Sequence, residues 1–232
     1  MSKKENHRIL VVAAHPDDEI LGCGGTTARL VKNGFSVSTL ILGEGVTSRD
    51  EDRRVSLRKI ELTRLKRQAL AANKKVGVER VIFCDLPDNR FDTIPLLDII
   101  KKVEKVKNKI RPSIIFTHCR NDLNIDHKIA YRSVITAARP MKDETVKTIY
   151  SFESASSTEW SYPLSFSPNV FFDISGTINK KIEALRIYKD ETRPFPHPRS
   201  ERAVEITAQS WGLKIGLRYA EAFELIRNVN GL

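Results

Sequence analysis

The stretch "RILVVAAHPDDEILGCGG", residues 8–25, runs from an unbroken apolar segment into one histidine and three acids, and then into three glycines. An apolar run rich in Val and Ile reads as a strand buried on both faces, because a half-exposed strand would alternate apolar with polar residues. Pro16 holds His15 extended, so the chain turns after the strand before a helix begins. The same pattern recurs along the sequence. "SVSTLIL" (36–42), "RVIFCDL" (80–86), "PSIIFTH" (112–118), "KTIYSF" (147–152) and "NVFFDI" (169–174) read as strands, while 22–33, 52–75, 95–108, 127–138 and 175–189 carry helical spacing. Short apolar strands alternating with helices predict a doubly wound α/β fold, a mostly parallel, Rossmann-like sheet with helices on both faces. Beyond the proline-rich "RPFPHPRS" (193–200), residues 200–228 read as helix, a turn at Gly212 to Gly216, and helix again.

With 232 residues and 41% hydrophobic composition the chain can bury a substantial core, and one domain over 1–232 is expected. The apolar run near the N-terminus is too short for a signal-peptide core or a membrane span, so a cytoplasmic protein without a transmembrane segment is expected. Cys23, Cys84 and Cys119 are widely spaced with no C-x-x-C pair, which indicates neither a disulfide framework nor a thiolate zinc site. The net charge of +10 is concentrated: residues 52–75 hold nine Lys or Arg against two acids, and 101–111 hold six against one. Both stretches read as solvated helix faces, and no nucleic-acid-binding motif accompanies them.

Open α/β sheets gather their working groups beyond the carboxyl ends of the strands. The first four exits read "HPDDE", "GEG", "DLPDNR" and "THCRNDLNIDH". Asp17 and Asp18 would repel each other by about 3 kcal/mol at about 5 Å and an effective dielectric of about 20, so something must offset the charge. Helix capping accounts for one acid and leaves His15 idle. A phosphate-binding glycine turn, with Glu44 as a ribose acid, fails on spacing: Gly22 comes too late after the strand, position 27 is Thr, and three acids would repel a pyrophosphate. A divalent cation answers the charge directly. His15 and Asp18 across the turn, with His127 from the fourth exit, make a His/Asp set that suits zinc and leaves a position for water.

"AHPDDE" (14–19) together with "NIDH" (124–127) resembles the zinc-dependent N-acetylglucosamine deacetylases of the PIG-L/LmbE-like family. "PDNRFDT" (87–93), "PHPRS" (196–200) and "YAEAFELI" (219–226) carry the resemblance along the length of the chain. It implies one zinc ion per chain on His15, Asp18 and His127, and Asp17 as general base. The substrate implied is a small N-acetylglucosamine-type sugar, free or linked to a lipid, nucleotide or other aglycone, cleaved to acetate and an amino sugar. A homo-oligomer is compatible with it. Many members carry a histidine where this chain has Asn124, and asparagine cannot supply a proton at neutral pH. His197 is therefore expected to act as the acid, with Asp126 or Arg199 orienting or binding, and His118 as the next choice. The resemblance also implies that Glu44 and Asp88 bond sugar hydroxyls and that an arginine, Arg64 or else Arg53, Arg54 or Arg58, holds the ligand. Gln68 stands where the family usually has an acid. Trp160 in "SSTEW" (156–160) either stacks on a sugar ring or covers the core. Two other readings of the same residues are an amidase acting on a thiol-sugar conjugate and a non-catalytic sugar- or nucleotide-binding domain.

Overall fold

A computed structural model describes residues 7–229. Its strands are β1 (Arg8–Ala13), β2 (Ser36–Gly43), β3 (Arg80–Leu86), β4 (Ile114–His118), β5 (Thr148–Phe152), β6 (Val170–Asp173) and β7 (Ala220–Asn228). Its helices are α1 (Asp18–Lys32), α2 (Lys59–Val76), α3 (Leu96–Ile110), α4 (Ile125–Ala137), α5 (Ile178–Leu185) and α6 (Glu201–Leu213). The strands form one sheet in the order β3-β2-β1-β4-β5-β7-β6. The five strands from β3 to β5 are parallel, and β7 runs antiparallel to both β5 and β6.

Strand alternation explains why both faces are covered. Leu10, Val12, Leu40 and Leu42 point into a core with Ile99 and Val103 of α3 and Ala130 and Val134 of α4. On the other face, Ile9, Val11 and Val37 meet Cys23 and Leu30 of α1, and Ile41 meets Leu65 of α2 and Leu185 of α5. Burying each such side chain contributes about 1.5–3 kcal/mol. Gly22 sets how closely α1 approaches the sheet: a Cβ there would lie 2.2 Å from the Phe152 ring.

Two expectations are corrected. The segment after α6 is a strand rather than a helix. Its Ala, Glu and Leu residues favour helix, but pairing between β5 and β6 overrides that preference. Glu221, buried in β7, accepts the backbone N–H groups of Gly25 (3.0 Å) and Thr26 (2.6 Å) and pairs with Lys181 at 2.6 Å. Residues 52–58 lie outside α2, which begins at Lys59.

The chain crosses from β3 to β4 on opposite sides of β1, so the strand order reverses between β1 and β4. Ligands of open α/β sheets bind at such a switch point. The exits of β1 and β4 therefore face one crevice.

Candidate metal centre and active site

The turn between β1 and α1 is built around Asp17, whose φ of 110° is a left-handed conformation costing a non-glycine residue about 1–3 kcal/mol. Its N–H donates to Glu19 Oε2 at 3.0 Å, and its carbonyl accepts the N–H groups of Ile20 and Leu21. Glu19 is itself held, since Oε1 accepts Tyr188 Oη at 2.5 Å and Asn73 Nδ2 at 2.8 Å. Burial raises the Glu19 carboxyl to about 7 against these hydrogen bonds. The third acid of the motif thus locks the backbone of the first. The Asp17 side chain makes no capping bond. Instead its Oδ2 accepts Arg199 Nη1 at 3.0 Å, and Arg199 Nε donates to Ser156 Oγ at 2.8 Å. Burial lifts the Asp17 carboxyl well above the usual range, Arg199 opposes that lift, and the neighbouring Asp18 adds to it.

Asp18 Oδ2 stands 3.4 Å from His15 Nδ1 and 3.3 Å from His127 Nε2. Around a tetrahedral zinc with bonds of about 2.0–2.1 Å, neighbouring ligand atoms lie about 3.3–3.4 Å apart. Asp18 Oδ1 is buried with no hydrogen-bond partner, as an oxygen kept for a cation would be. These three side chains could hold a metal ion. Burial disfavours the charged form of all three, yet their mutual contacts win. His127 is raised to about 9 by Asp18 and Asp122, His15 is raised by Asp126 and Asp18, and Asp18 is held low by His127 and His118. Such a cluster attracts positive charge, and protons and metal compete for it.

Each imidazole is backed by a carboxylate, the arrangement that fixes a ligand's tautomer and strengthens it. His15 Nε2 lies 2.9 Å from Asp126 Oδ2 and 3.3 Å from Asp88 Oδ1. Asp126 Oδ1 accepts the Phe91 N–H, and Asp88 Oδ2 accepts both N–H and hydroxyl of Ser48. His127 Nδ1 lies 3.1 Å from Asp122 Oδ1. Asp122 accepts the hydroxyls of Ser157 and Thr158 and the Asn124 N–H. Sequence reasoning missed Asp122 and Glu19. The signal for Asp122 was there, since a ligating histidine needs a partner acid and "RNDLNIDH" offers one.

The other expected residues are distributed as follows. His118 is fully buried, accepts the Ala14 N–H on Nε2 (2.8 Å), contacts Ser154 Oγ through Nδ1, and stacks on His127 with ring centroids 4.0 Å apart. Burial and His127 lower it to about 3, which keeps it a neutral packing residue. Asn124 caps α4, its Oδ1 accepting the Asp126 N–H, and its Nδ2 donates to Asn89. Glu44 is buried and clasped by Arg53 at 2.8 and 3.1 Å and by Thr47. Arg64 is 54% exposed and paired with Asp190. Arg58 is tied to Asp50 and Glu61, and Arg54 to Asp52. His197 accepts the Arg199 backbone N–H on Nδ1, and its ring stands nearly perpendicular to that of Trp160, with centroids 5.7 Å apart. Among the described residues, Arg199 rather than His197 contacts Asp17. No helix among them is long and apolar enough to cross a membrane.

Comparison with known proteins bears on this geometry. The family model described as PIG-L, GlcNAc-PI de-N-acetylase, matches residues 10–138, from β1 to the end of α4. An uncharacterised deacetylase of Escherichia coli K12, YaiS, is 29% identical over 200 residues, 81% of this chain and 94% of its own. The diacetylchitobiose deacetylase of Thermococcus kodakarensis is 24% identical over 229 residues, 96% of this chain and 84% of its own. The crystal structure of GalB, the 4-carboxy-2-hydroxymuconate hydratase of Pseudomonas putida KT2440, superimposes with a TM-score of 0.76 at 20% identity, covering 97% of this chain and 99% of that one. That last likeness is one of fold alone.

Proposed function

The chain belongs to the PIG-L family, and from that premise we propose that it is a zinc-dependent hydrolase removing acetyl from an N-acetylglucosamine-type sugar. The observation that carries the reading is that Asp18 Oδ2 stands 3.4 Å from His15 Nδ1 and 3.3 Å from His127 Nε2, beside a separate carboxylate, Asp17, held by Arg199. Relatives that are deacetylases support it.

His15, Asp18 and His127 would hold the ion, with Asp126, Asp88 and Asp122 orienting the imidazoles. Zinc at such a site supplies a Lewis acid that polarises an amide carbonyl and makes water acidic enough to attack at neutral pH. Asp17, free of the ligand set, accepts the proton from the attacking water. As the carbon–nitrogen bond breaks, Asp17 passes that proton to the leaving nitrogen, giving acetate and a free amine. Arg199 favours the ionised base and keeps it aimed into the crevice. Asn124 cannot supply a proton, and we assign the proton return to Asp17 rather than to His197. Glu44, with Arg53 in place of Arg64, is the group assigned to the sugar hydroxyls, while Asp88, whose two oxygens face His15 and Ser48, is assigned to the imidazole instead.

The test is acetate release from a panel of N-acetylglucosamine derivatives before and after stripping with a chelator. Release that disappears on stripping and returns with zinc supports the proposal; a zinc-loaded protein that releases no acetate from any of them refutes it.

A further inference from the structure

Helix α1 does not run evenly. At Cys23 its backbone leaves helical geometry (φ −146°, ψ 21°), and polar groups beside that break are taken up by side chains from elsewhere. Lys181 Nζ donates to the Leu21 carbonyl at 2.6 Å, while Glu221 accepts the Gly25 and Thr26 N–H groups. The two side chains pair with each other at 2.6 Å, both buried, so their charges cancel. Against this plug lies a cavity of about 110 Å³. Protein interiors hold few voids larger than a water molecule, so a space of this size asks for an occupant. None of His15, Asp17, Asp18 or His127 lines it, which sets it apart from the metal centre.

The wall is mostly apolar, with Leu21, Ala155, Val204 and Ala208 beside the Trp211 indole, but Glu153 and Glu159 join the Lys181 and Glu221 pair in it. Glu159 spends its oxygens on the Ser156 and Ser157 N–H groups, at 2.7 and 3.2 Å. Glu153 uses Oε1 for Trp211 Nε1 at 2.5 Å, and among the described residues nothing donates a hydrogen bond to its Oε2. Burial and Glu159 raise the Glu153 carboxyl to about 6, against Trp211, Lys181 and Lys214, the last seated 3.8 Å from the centroid of the indole. Above neutral pH it is ionised. An incoming molecule thus meets two acids that no ion pair in the wall cancels, and one lysine already paired. A carboxylate or phosphate is excluded by that balance, and a buried acceptor without a partner is costly until a donor reaches it. Size narrows the choice further: a cavity of about 150 Å³ holds benzene, so this one takes about five non-hydrogen atoms.

We propose that this cavity is a binding site for a short primary alkylammonium ion, its charge held by Glu153 Oε2 and its hydrocarbon stem lying against Leu21, Val204 and Ala208. The site is a property of the packing between α1, α6 and β7, and it can be tested without turnover at the metal centre.

The probe is n-butylammonium, titrated into the full chain at about pH 8, above the value for Glu153 and below the alkylamine value of about 10.4. In Trp160→Phe, Trp211 is the remaining tryptophan and reports on the cavity. Its emission should shift saturably with n-butylammonium, about tenfold more weakly with 1-butanol, and not with butyrate. Calorimetry on the wild type should return the same dissociation constant. Glu153→Gln should weaken the amine about tenfold, the loss of one charge-assisted hydrogen bond. Ala208→Leu, which fills the cavity, should abolish binding. If circular dichroism shows that Ala208→Leu does not fold, Glu153→Gln and the comparison with the alcohol still decide. No saturable amine binding, equal affinity for amine and alcohol, or amine binding that is unchanged in either variant overturns the proposal. Unchanged binding would put the amine elsewhere, the metal centre included, and tighter binding of butyrate would make Lys181 the host instead.

Discussion

The floor of the crevice and its lip, the loops 156–160 and 194–200 that reach in through Thr158 to Asp122 and through Arg199 to Asp17, are built by opposite rules. In the β1–α1 turn nearly every polar atom is committed: Glu19 holds Asp17, Tyr188 and Asn73 hold Glu19, and three acids from the exits of β3 and β4 face the imidazoles. On the lip, polar groups face inward as anchors while Trp160, Tyr162 and Phe195 stand in solvent. A preorganised floor suits a chemistry that requires fixed geometry, whereas an adaptable rim suits the choice of what is presented to it. The difference also ranks the residues. Changes on the floor should cost metal or turnover, and changes on the lip should cost selectivity.

The largest break is expected from Asp18→Ala, which removes the carboxylate that faces both imidazoles. Zinc content should fall from near one per chain to near zero, with acetate release lost in parallel; retained zinc would put the ion elsewhere. Asp122→Asn is a milder assault on the same region, removing the charge behind His127. Metal affinity measured by competition with a chelator dye should weaken about 10- to 100-fold. An unchanged affinity would separate Asp122 from the metal centre. His197→Ala touches the lip, and its effect on kcat should stay below about tenfold. A loss of orders of magnitude with zinc intact would restore His197 as the acid and contradict the contrast drawn here.

The smallest effect concerns stability. Glu153, at the foot of the lip, bonds Trp211 Nε1 at 2.5 Å, and burial raises its carboxyl to about 6. An acid whose folded pKa exceeds its unfolded value of about 4.5 binds its proton more tightly when folded. Its stabilising contribution is present below about pH 4.5 and is lost as pH rises through 6. The loss is at most about 2 kcal/mol, at about 1.4 kcal/mol per pKa unit. Denaturant midpoints between pH 4.5 and 7 should fall less in Glu153→Gln than in wild type; parallel curves would exclude Glu153 as their source.

The same contrast decides what was legible in the sequence. The central parallel strands announce themselves because they are buried on both faces, and the cluster of His15, Asp18 and His127 is legible because His15 and Asp18 share one turn while His127 lies in the first turn of the helix after β4. Partnerships formed across the fold leave no local trace. Arg199 meets Asp17 from 182 positions away, and Tyr188 meets Glu19 from 169. The strand β7 is hidden for a related reason, since its helix-favouring residues are overruled by neighbours that come from elsewhere in the chain. Asp88 illustrates a middle case: its place at a strand exit is readable, but its closeness to His15 is not.

The central claim is that the acids after β1 divide their work, Asp18 for a cation and Asp17 for a proton. Zinc content and acetate release measured together in wild type and Asp17→Asn test it most directly. The account predicts near one zinc per chain in both proteins and acetate release about 10²- to 10⁴-fold lower in the variant. A variant that keeps wild-type turnover, or one that loses its zinc, would contradict it.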